Sequence, residues 1–236
     1  VTYRVRPRIK RQLSTRSAFL LPEVLIFCRS LPVSFSAVQT DRASPPYAKL
    51  QLDGAWVNAD EIAKQLARSM DDSAAAMAAG RAALMKIREM IESRQSSVFE
   101  TTLSSHQSIN LMSDAQAAGY YVGLYYVALD SVELNIERVK RRVEKGGHGI
   151  PENIIRRRYE GSLHKLSKAL RYVKEALLID NSGIEPREIF RVRAGVIVGS
   201  DVDRRNPLHR LFEGRVVEAY DLVRIGEAYR SRTSIE

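Results

Sequence analysis

Residues 120–131 read Tyr120-Tyr121-Val122-Gly123-Leu124-Tyr125-Tyr126-Val127-Ala128-Leu129-Asp130-Ser131. The run up to Leu129 is almost wholly aromatic and aliphatic, with no polar alternation. That is the pattern of a strand buried on both faces, as in a sheet covered by helices. Asp130-Ser131 then offers a helix cap, and a helix is predicted from there to about Lys145, where Gly146-Gly147 stops it. Upstream, His106 to Ala117 reads as a helix closed by Gly119 in the C′ position. Ser97 to Thr101 reads as a short strand. Asp60 to Glu92 reads as helical, with Asp71-Asp72-Ser73 and Gly80 as the places where it would divide in two. Leu50 to Trp56 reads as a linker leading to a strand end at Val57. Downstream, Pro151 is assigned to the first position of a helix reaching about Glu175. Ala176 to Ile179 is a strand ending in Asp180-Asn181-Ser182-Gly183. Ile189 to Val198 is a last strand or hairpin, and Leu208 to Tyr229 a terminal amphipathic helix. This alternation predicts an α/β fold, a parallel sheet with helices on both faces. Ligands of such sheets bind at the carboxyl ends of the strands. The chemistry is therefore sought just after Val57, Phe99, Leu129 and Ile179.

At 236 residues and 44% hydrophobic content the chain is long enough for one such domain with a small appendage. The longest apolar run, Ala18 to Phe27, is interrupted by Pro22 and Glu23, so no membrane span is predicted. One cysteine excludes an internal disulfide framework, and with four histidines it leaves no Cys/His zinc pattern. A reducing, cytoplasmic setting is the expectation. The net charge of +9 is unevenly spread: residues 1–46 hold eight Lys/Arg against Glu23 and Asp41, which places +6 there and +3 in the rest. Nucleic-acid binding by the body is therefore not expected, and any such binding should vanish when residues 1–46 are deleted.

Four polar clusters follow the predicted strand ends. In Asn58-Ala59-Asp60-Glu61 a carboxylate can accept a proton from a substrate hydroxyl, and the same residues suit helix capping. Glu100-Thr101-Thr102-Leu103-Ser104-Ser105 sets a carboxylate and hydroxyls where a polar ligand could be held, or where another helix is capped. Arg138, Lys140, Arg141 and Arg142, then Arg156-Arg157-Arg158, flank a glycine-rich hinge. Guanidinium groups so placed can clamp phosphate bidentately, while most of such a run is a solvated face. Asp180-Asn181-Ser182 is a candidate nucleotide contact or a turn.

Taken in order, Val57-Asn58-Ala59-Asp60-Glu61-Ile62-Ala63, Phe99-Glu100-Thr101-Thr102-Leu103-Ser104, Gly146-Gly147-His148-Gly149-Ile150-Pro151, Arg156-Arg157-Arg158-Tyr159 and Asp180-Asn181-Ser182-Gly183 resemble the bacterial zeta toxin family of P-loop kinases. The resemblance spans roughly residues 48–185. It implies a P-loop NTPase-like, three-layer α/β/α kinase core with a mainly parallel sheet. It implies ATP and Mg2+ as cofactors, a nucleotide sugar such as UDP-N-acetylglucosamine as the acceptor, and a small antitoxin protein as a further partner. Asp60 then resembles the base for the acceptor hydroxyl. Asn58, Glu100, Thr101 and Thr102 resemble substrate-side residues. Arg138, Arg142 and Arg158 resemble arginines on the ATP phosphates, with Arg142 and Arg158 expected as catalytic residues that stabilise the transferred charge, and Asp180 and Asn181 resemble residues on the ATP side.

The family pattern also demands a glycine-rich loop ending in Gly-Lys-Ser/Thr, whose amides and lysine cradle phosphates and whose hydroxyl holds magnesium. Ala37 to Tyr47 stands in its place, with no glycine, no lysine and two prolines. One permitted back-translation of Ala37 to Tyr47, read from its third base, encodes Gly-Pro-Asn-Gly-Ser-Gly-Lys-Ser-Thr-Leu. Val33 to Ser36 likewise yields Leu-Val-Leu-Ser, the apolar strand that should precede the loop. The expectation is that at least residues 33–47 are translated out of frame and that residues 1–32 share this origin. Reading residues 1–17 as a targeting peptide is the rival. The organisation expected is an atypical basic segment over 1–47, degraded or disordered, a kinase core over 48–185 and a strand and helix extension over 186–236. As written, the chain is expected to be impaired as a kinase. The alternative is a non-catalytic remnant that still binds acceptor or an antitoxin.

Overall fold

The computed structural model describes residues 23–29, 54–66, 72–145, 149–225 and 228–231. The chain enters with strand β1 (Glu23–Arg29) and strand β2 (Ala55–Val57). Helices α1 (Ala59–Leu66) and α2 (Asp72–Glu92) follow, then β3 (Ser97–Thr101), α3 (His106–Ala117) and β4 (Tyr121–Ala128). Helices α4 (Val132–Glu144) and α5 (Glu152–Leu170) lead to β5 (Glu175–Asp180) and the hairpin β6 (Arg187–Arg193) and β7 (Val196–Ser200). Helix α6 (Pro207–Tyr220) and a small hairpin, β8 (Leu222–Ile225) and β9 (Ala228–Ser231), complete the described fold.

Local chemistry explains most boundaries. The Ser131 hydroxyl accepts the Leu134 N–H at 3.3 Å and opens α4. Gly119, at φ +81°, turns the chain from α3 into β4, a conformation that costs a residue with Cβ. Asn206 accepts the N–H groups of Leu208 (2.8 Å) and His209 (3.2 Å), and Pro207 at the first helical position completes the start of α6.

Seven strands form one sheet in the order β2-β3-β1-β4-β5-β6-β7. β2 pairs in parallel with β3, and β4 with β5; β1 is antiparallel to both β3 and β4, and β6 to both β5 and β7. Five strands, β2, β3, β4, β5 and β7, therefore run one way and only β1 and β6 oppose them. The α/β class and the mainly parallel, P-loop NTPase-like sheet agree with the sequence reading. The connections β2 to β3, β3 to β4 and β4 to β5 all step the same way across the sheet, so right-handed crossovers put α2, α3 and α5 on one face. That face carries the main core. Ile26, Phe99, Leu124, Tyr126, Leu178 and Phe190 are in cross-strand register. They cluster with Ile87 and Met90 of α2, Ile109 and Met112 of α3, Leu163 and Leu166 of α5, and Phe212 and Val216 of α6. On the opposite face Tyr125, Val127, Leu177 and Ile179 are buried as well.

Four boundaries differ from expectation. Pro151 is the N-cap of α5, not its first helical residue, with ψ at 139° and its carbonyl accepting from Ile154 and Ile155. α5 ends at Leu170 rather than near Glu175. Lys174 already donates its N–H to Val122, and Glu175, 1% exposed, lies in β5 with its carboxylate on Arg193 Nε (2.9 Å). Strand pairing overrides helix propensity there. The terminal helix stops at Tyr220 and not at Tyr229. Asp221 takes the left-handed conformation (φ 49°, ψ 53°), donates its N–H to Val217, and hands the chain to the β8–β9 hairpin. Finally, β1 is a strand within residues 1–47, where the sequence predicts no element.

Candidate active site

The carboxyl rim of the sheet gathers the ends of β2, β3, β4 and β5, and each predicted site residue can be placed relative to it. Asn58 follows β2. Its Oδ1 accepts the Glu61 N–H at 3.3 Å, so it caps α1, and its Nδ2 donates to Glu100 Oε2 at 3.1 Å. Capping and the bond to Glu100 thus coincide in one side chain. Asp60 lies in the first turn of α1, and its side chain is outside the described residues.

Glu100 and Thr101 close β3. Thr101 Oγ1 lies 2.9 Å from Ser108 Oγ and accepts the Leu103 N–H at 3.1 Å. Thr102 Oγ1 lies 2.8 Å from Ser104 Oγ. Leu103 itself is wholly buried at φ 55°, a left-handed conformation that a branched side chain adopts only when its surroundings enforce it. The hydroxyl loop is therefore held stiffly, as a site that must present fixed polar groups requires.

Helix α5 crosses this loop. A Cβ added at Gly161 would stand 3.5 Å from the Ser104 carbonyl oxygen and 3.6 Å from Ser104 Cβ. The Tyr159 hydroxyl donates to the Leu129 carbonyl at 2.9 Å, and burial pushes this phenol up to about 12. Arg158 shares a face with Gly161, one turn nearer the start of α5, so it lies on the side that meets the β3 loop. Arg158 is half-buried.

At the ends of β4 and β5 the second half of the rim assembles. Arg138 of α4 donates to the Asn181 carbonyl at 2.8 Å. Burial, and then Arg141, pulls this guanidinium below its usual value. A charge partly stripped of water favours an anionic partner. Arg142 lies one turn further along the same face of α4 and is half-buried. Arg156, in contrast, bridges α4 to α5 through Glu133 (2.8 Å) and Glu152 (2.7 Å), and these bonds hold Glu133 below the usual carboxylate range. Of the triple-arginine run, then, Arg156 ties α4 to α5, while Arg158 is half-buried on the face of α5 that carries Gly161. The hinge at 146–148 is outside the described residues.

Asp180 is 6% exposed, and its carboxylate is surrounded by donors. Oδ1 accepts the Ser182 N–H at 2.8 Å and the Ser182 hydroxyl, and Oδ2 accepts from Asn206 Nδ2 at 3.3 Å and meets His209 Nε2 at 3.0 Å. Ser182 Oγ in turn accepts the Asp130 N–H at 2.8 Å. Asn206 and His209 have no counterpart among the residues singled out by sequence. Asn206-Pro207 signals a helix start, but nothing in the sequence signals that it would meet Asp180.

Between the two halves stands β1. Val24 pairs with Thr101 and Tyr126, and Glu23 with Val127, so β1 begins at the carboxyl rim. It ends at the other edge, where Cys28 pairs with Ser97 and Val122. A phosphate-binding loop must leave a strand at the carboxyl rim. β1 ends at Arg29, beside Tyr121, and β2 begins at Ala55, beside Ser97, both at the amino edge. Ala37 to Tyr47 itself is outside the described residues. The arginine side of the rim fits phosphate oxygens. The composition of 37–47 does not fit the phosphate and magnesium cradle.

No described helix is long and apolar enough to cross a membrane. A family model described as Zeta toxin matches residues 58–192. A protein of Haemophilus influenzae, described as an uncharacterized protein, is 36% identical over 103 residues, covering 44% of this chain and 73% of its own length. No solved structure matches.

Proposed function

The chain belongs to the zeta toxin family, a kinase-type P-loop family, and from that premise we propose that it derives from a cytoplasmic enzyme moving the ATP γ-phosphoryl group to a hydroxyl of a nucleotide sugar such as UDP-N-acetylglucosamine. The hydroxyl oxygen would form the new P–O bond, ADP would leave, and the hydroxyl proton would pass to a carboxylate, for which Asp60 is our assignment. Glu100, Thr101 and Thr102 would orient the acceptor. Arg158 would face both acceptor and transferred phosphoryl, with Arg142 and Arg138 on the remaining phosphates and Asn181 beside them. Magnesium, when bound, neutralises phosphate charge. The residues that would hold it are those of the loop that 37–47 lacks.

The observation that carries this reading is the 3.1 Å bond between Asn58 and Glu100, which joins two family motifs at adjacent strand ends. Phosphoryl transfer depends on positioning and charge stabilisation, and the loop supplies much of both. We therefore propose that this chain keeps an acceptor site and is impaired in transfer. The direction of β1 favours a second reading, a remnant that binds acceptor or an antitoxin partner without turnover. Calorimetric titration of the full chain with UDP-N-acetylglucosamine and with Mg-ATP, followed by an assay of ADP release, separates them. Sugar-nucleotide binding alone supports the remnant, turnover supports the enzyme, and binding of neither removes both.

A further inference from the structure

Beside Asp180 stands His209 of α6, a residue that the sequence did not single out. It is 0% exposed, and both ring nitrogens are engaged: Nδ1 accepts the Asp203 N–H at 3.0 Å, and Nε2 meets Asp180 Oδ2 at 3.0 Å. Because Nδ1 must be an acceptor, the neutral ring carries its proton on Nε2 and donates it to Asp180. Asn206, one turn earlier, donates to the same oxygen while capping α6. From Asp180 the bonding passes to Ser182 and from Ser182 to the Asp130 amide, the entry to α4. Arg138 of α4 returns to the same loop at the Asn181 carbonyl. Both Asn206 and His209 lie beyond residue 192, where the family match ends.

We propose that His209 and Asn206 are positioning residues, which fix the loops after β4 and β5 relative to one another and so set where Arg138 presents its guanidinium. A slot that only needed filling would be served by an apolar ring, which leaves no polar atom to satisfy. This slot instead uses a residue that donates and accepts in opposite directions, joining the 201–206 turn to Asp180. That the rim so held receives nucleotide phosphates rests on the kinase reading. The relay itself does not.

The test uses the full chain as wild type, H209F and H209Q. Gln offers an amide N–H to Asp180 and a carbonyl to the Asp203 amide, and Phe offers neither. Residue-resolved amide exchange is read at Asp130 and Ser182 and, as an internal reference, at Val122 to Tyr126 in β4. The expected result is exchange faster by about tenfold or more at Asp130 and Ser182 in H209F, with β4 little changed and H209Q close to wild type. A common factor across β4 and both loops in H209F would reveal a merely stabilising residue, and unaltered loop amides would mean no relay; either overturns the proposal. In parallel, the Arg138 Nε resonance is followed during an ADP titration, which detects weak binding. A weaker response in H209F, restored in H209Q, extends the relay to the ligand. If ADP leaves the wild-type resonance unmoved, the nucleotide reading fails, and the exchange data still decide the relay.

Discussion

Asn58 donates its side-chain amide to Glu100 over 3.1 Å although 42 positions separate them, while its other side-chain atom caps α1. The two duties can be split by substitution. N58A loses both and should cost roughly 1 kcal/mol of stability, the usual value of a cap. N58D keeps a capping oxygen but sets a second carboxylate against Glu100. It should fold nearly as well as wild type while binding UDP-N-acetylglucosamine about tenfold more weakly, a difference of about 1.4 kcal/mol. Thermal unfolding and titration read the two effects separately. Equal affinity for N58D and wild type would take Glu100 out of the acceptor site.

The close approach of α5 to the hydroxyl loop makes a signed prediction. At Gly161 an added methyl group meets Ser104 at 3.5 Å, an ordinary contact, whereas Gly80 and Gly214 have nothing within 4 Å. G80A and G214A should each stabilise the protein by about 0.5–1 kcal/mol through helix propensity alone. G161A should be near neutral to stabilising. G161L should push the loop away, costing about 1–3 kcal/mol as overpacking does, together with acceptor affinity. Chemical denaturation of the four variants checks the order. A tolerated G161L would mean that the loop moves freely.

Much of this arrangement was legible in residues 120–131, because burial on both faces writes itself into a strand as an unbroken apolar run. Ser131 and Gly119 were readable for the same reason, since their roles are local. Three things were not. Strand direction leaves no mark on a short apolar segment, so the reversal of β1 was invisible. Asp221 ends α6 in a conformation more typical of glycine, so the turn residue gave little warning. The bonding of Asp180 to Asn206 and His209 joins residues 26 and 29 apart through tertiary packing, with no spacing rule behind it.

Tyr159 predicts behaviour in alkali. Burial raises its pKa to about 12 from an ordinary 10.0, and Tyr125, Tyr126 and Tyr220 are raised as well, each mainly by burial. A raised folded pKa favours the protonated form in the native state. Its contribution is therefore complete below pH 10 and is lost as pH climbs from about 10 towards 12, because the unfolded chain ionises first. For Tyr159 the loss is on the order of 2 kcal/mol. Y159F forfeits the bond to Leu129, about 1 kcal/mol at neutral pH, and should show a shallower decline above pH 10. Urea midpoints measured from pH 8 to 11 decide it; parallel curves for Y159F and wild type would remove Tyr159 from the alkaline transition.

The last prediction concerns the phosphate loop. If residues 33–47 are a frame-shifted reading, replacing them with Leu-Val-Leu-Ser followed by Gly-Pro-Asn-Gly-Ser-Gly-Lys-Ser-Thr-Leu should strengthen ATP binding well beyond that of the present chain. The loop works only if its strand delivers it to the carboxyl rim, between Thr101 and Val127, where Glu23 of β1 now stands. The new strand must therefore take the place of β1 and run parallel to β3 and β4, so the repaired chain should lose the Val24–Thr101 antiparallel pairing. Backbone nuclear Overhauser contacts across β3 and β4 report that exchange directly. In the repaired chain R158A should slow phosphoryl transfer by at least about a thousandfold if it stabilises the transferred group, with little change in sugar-nucleotide affinity. A repaired chain that keeps β1 antiparallel and binds no ATP would show that the antiparallel strand is the stable occupant of the sheet, and that restoring the loop's residues is not enough for ATP binding.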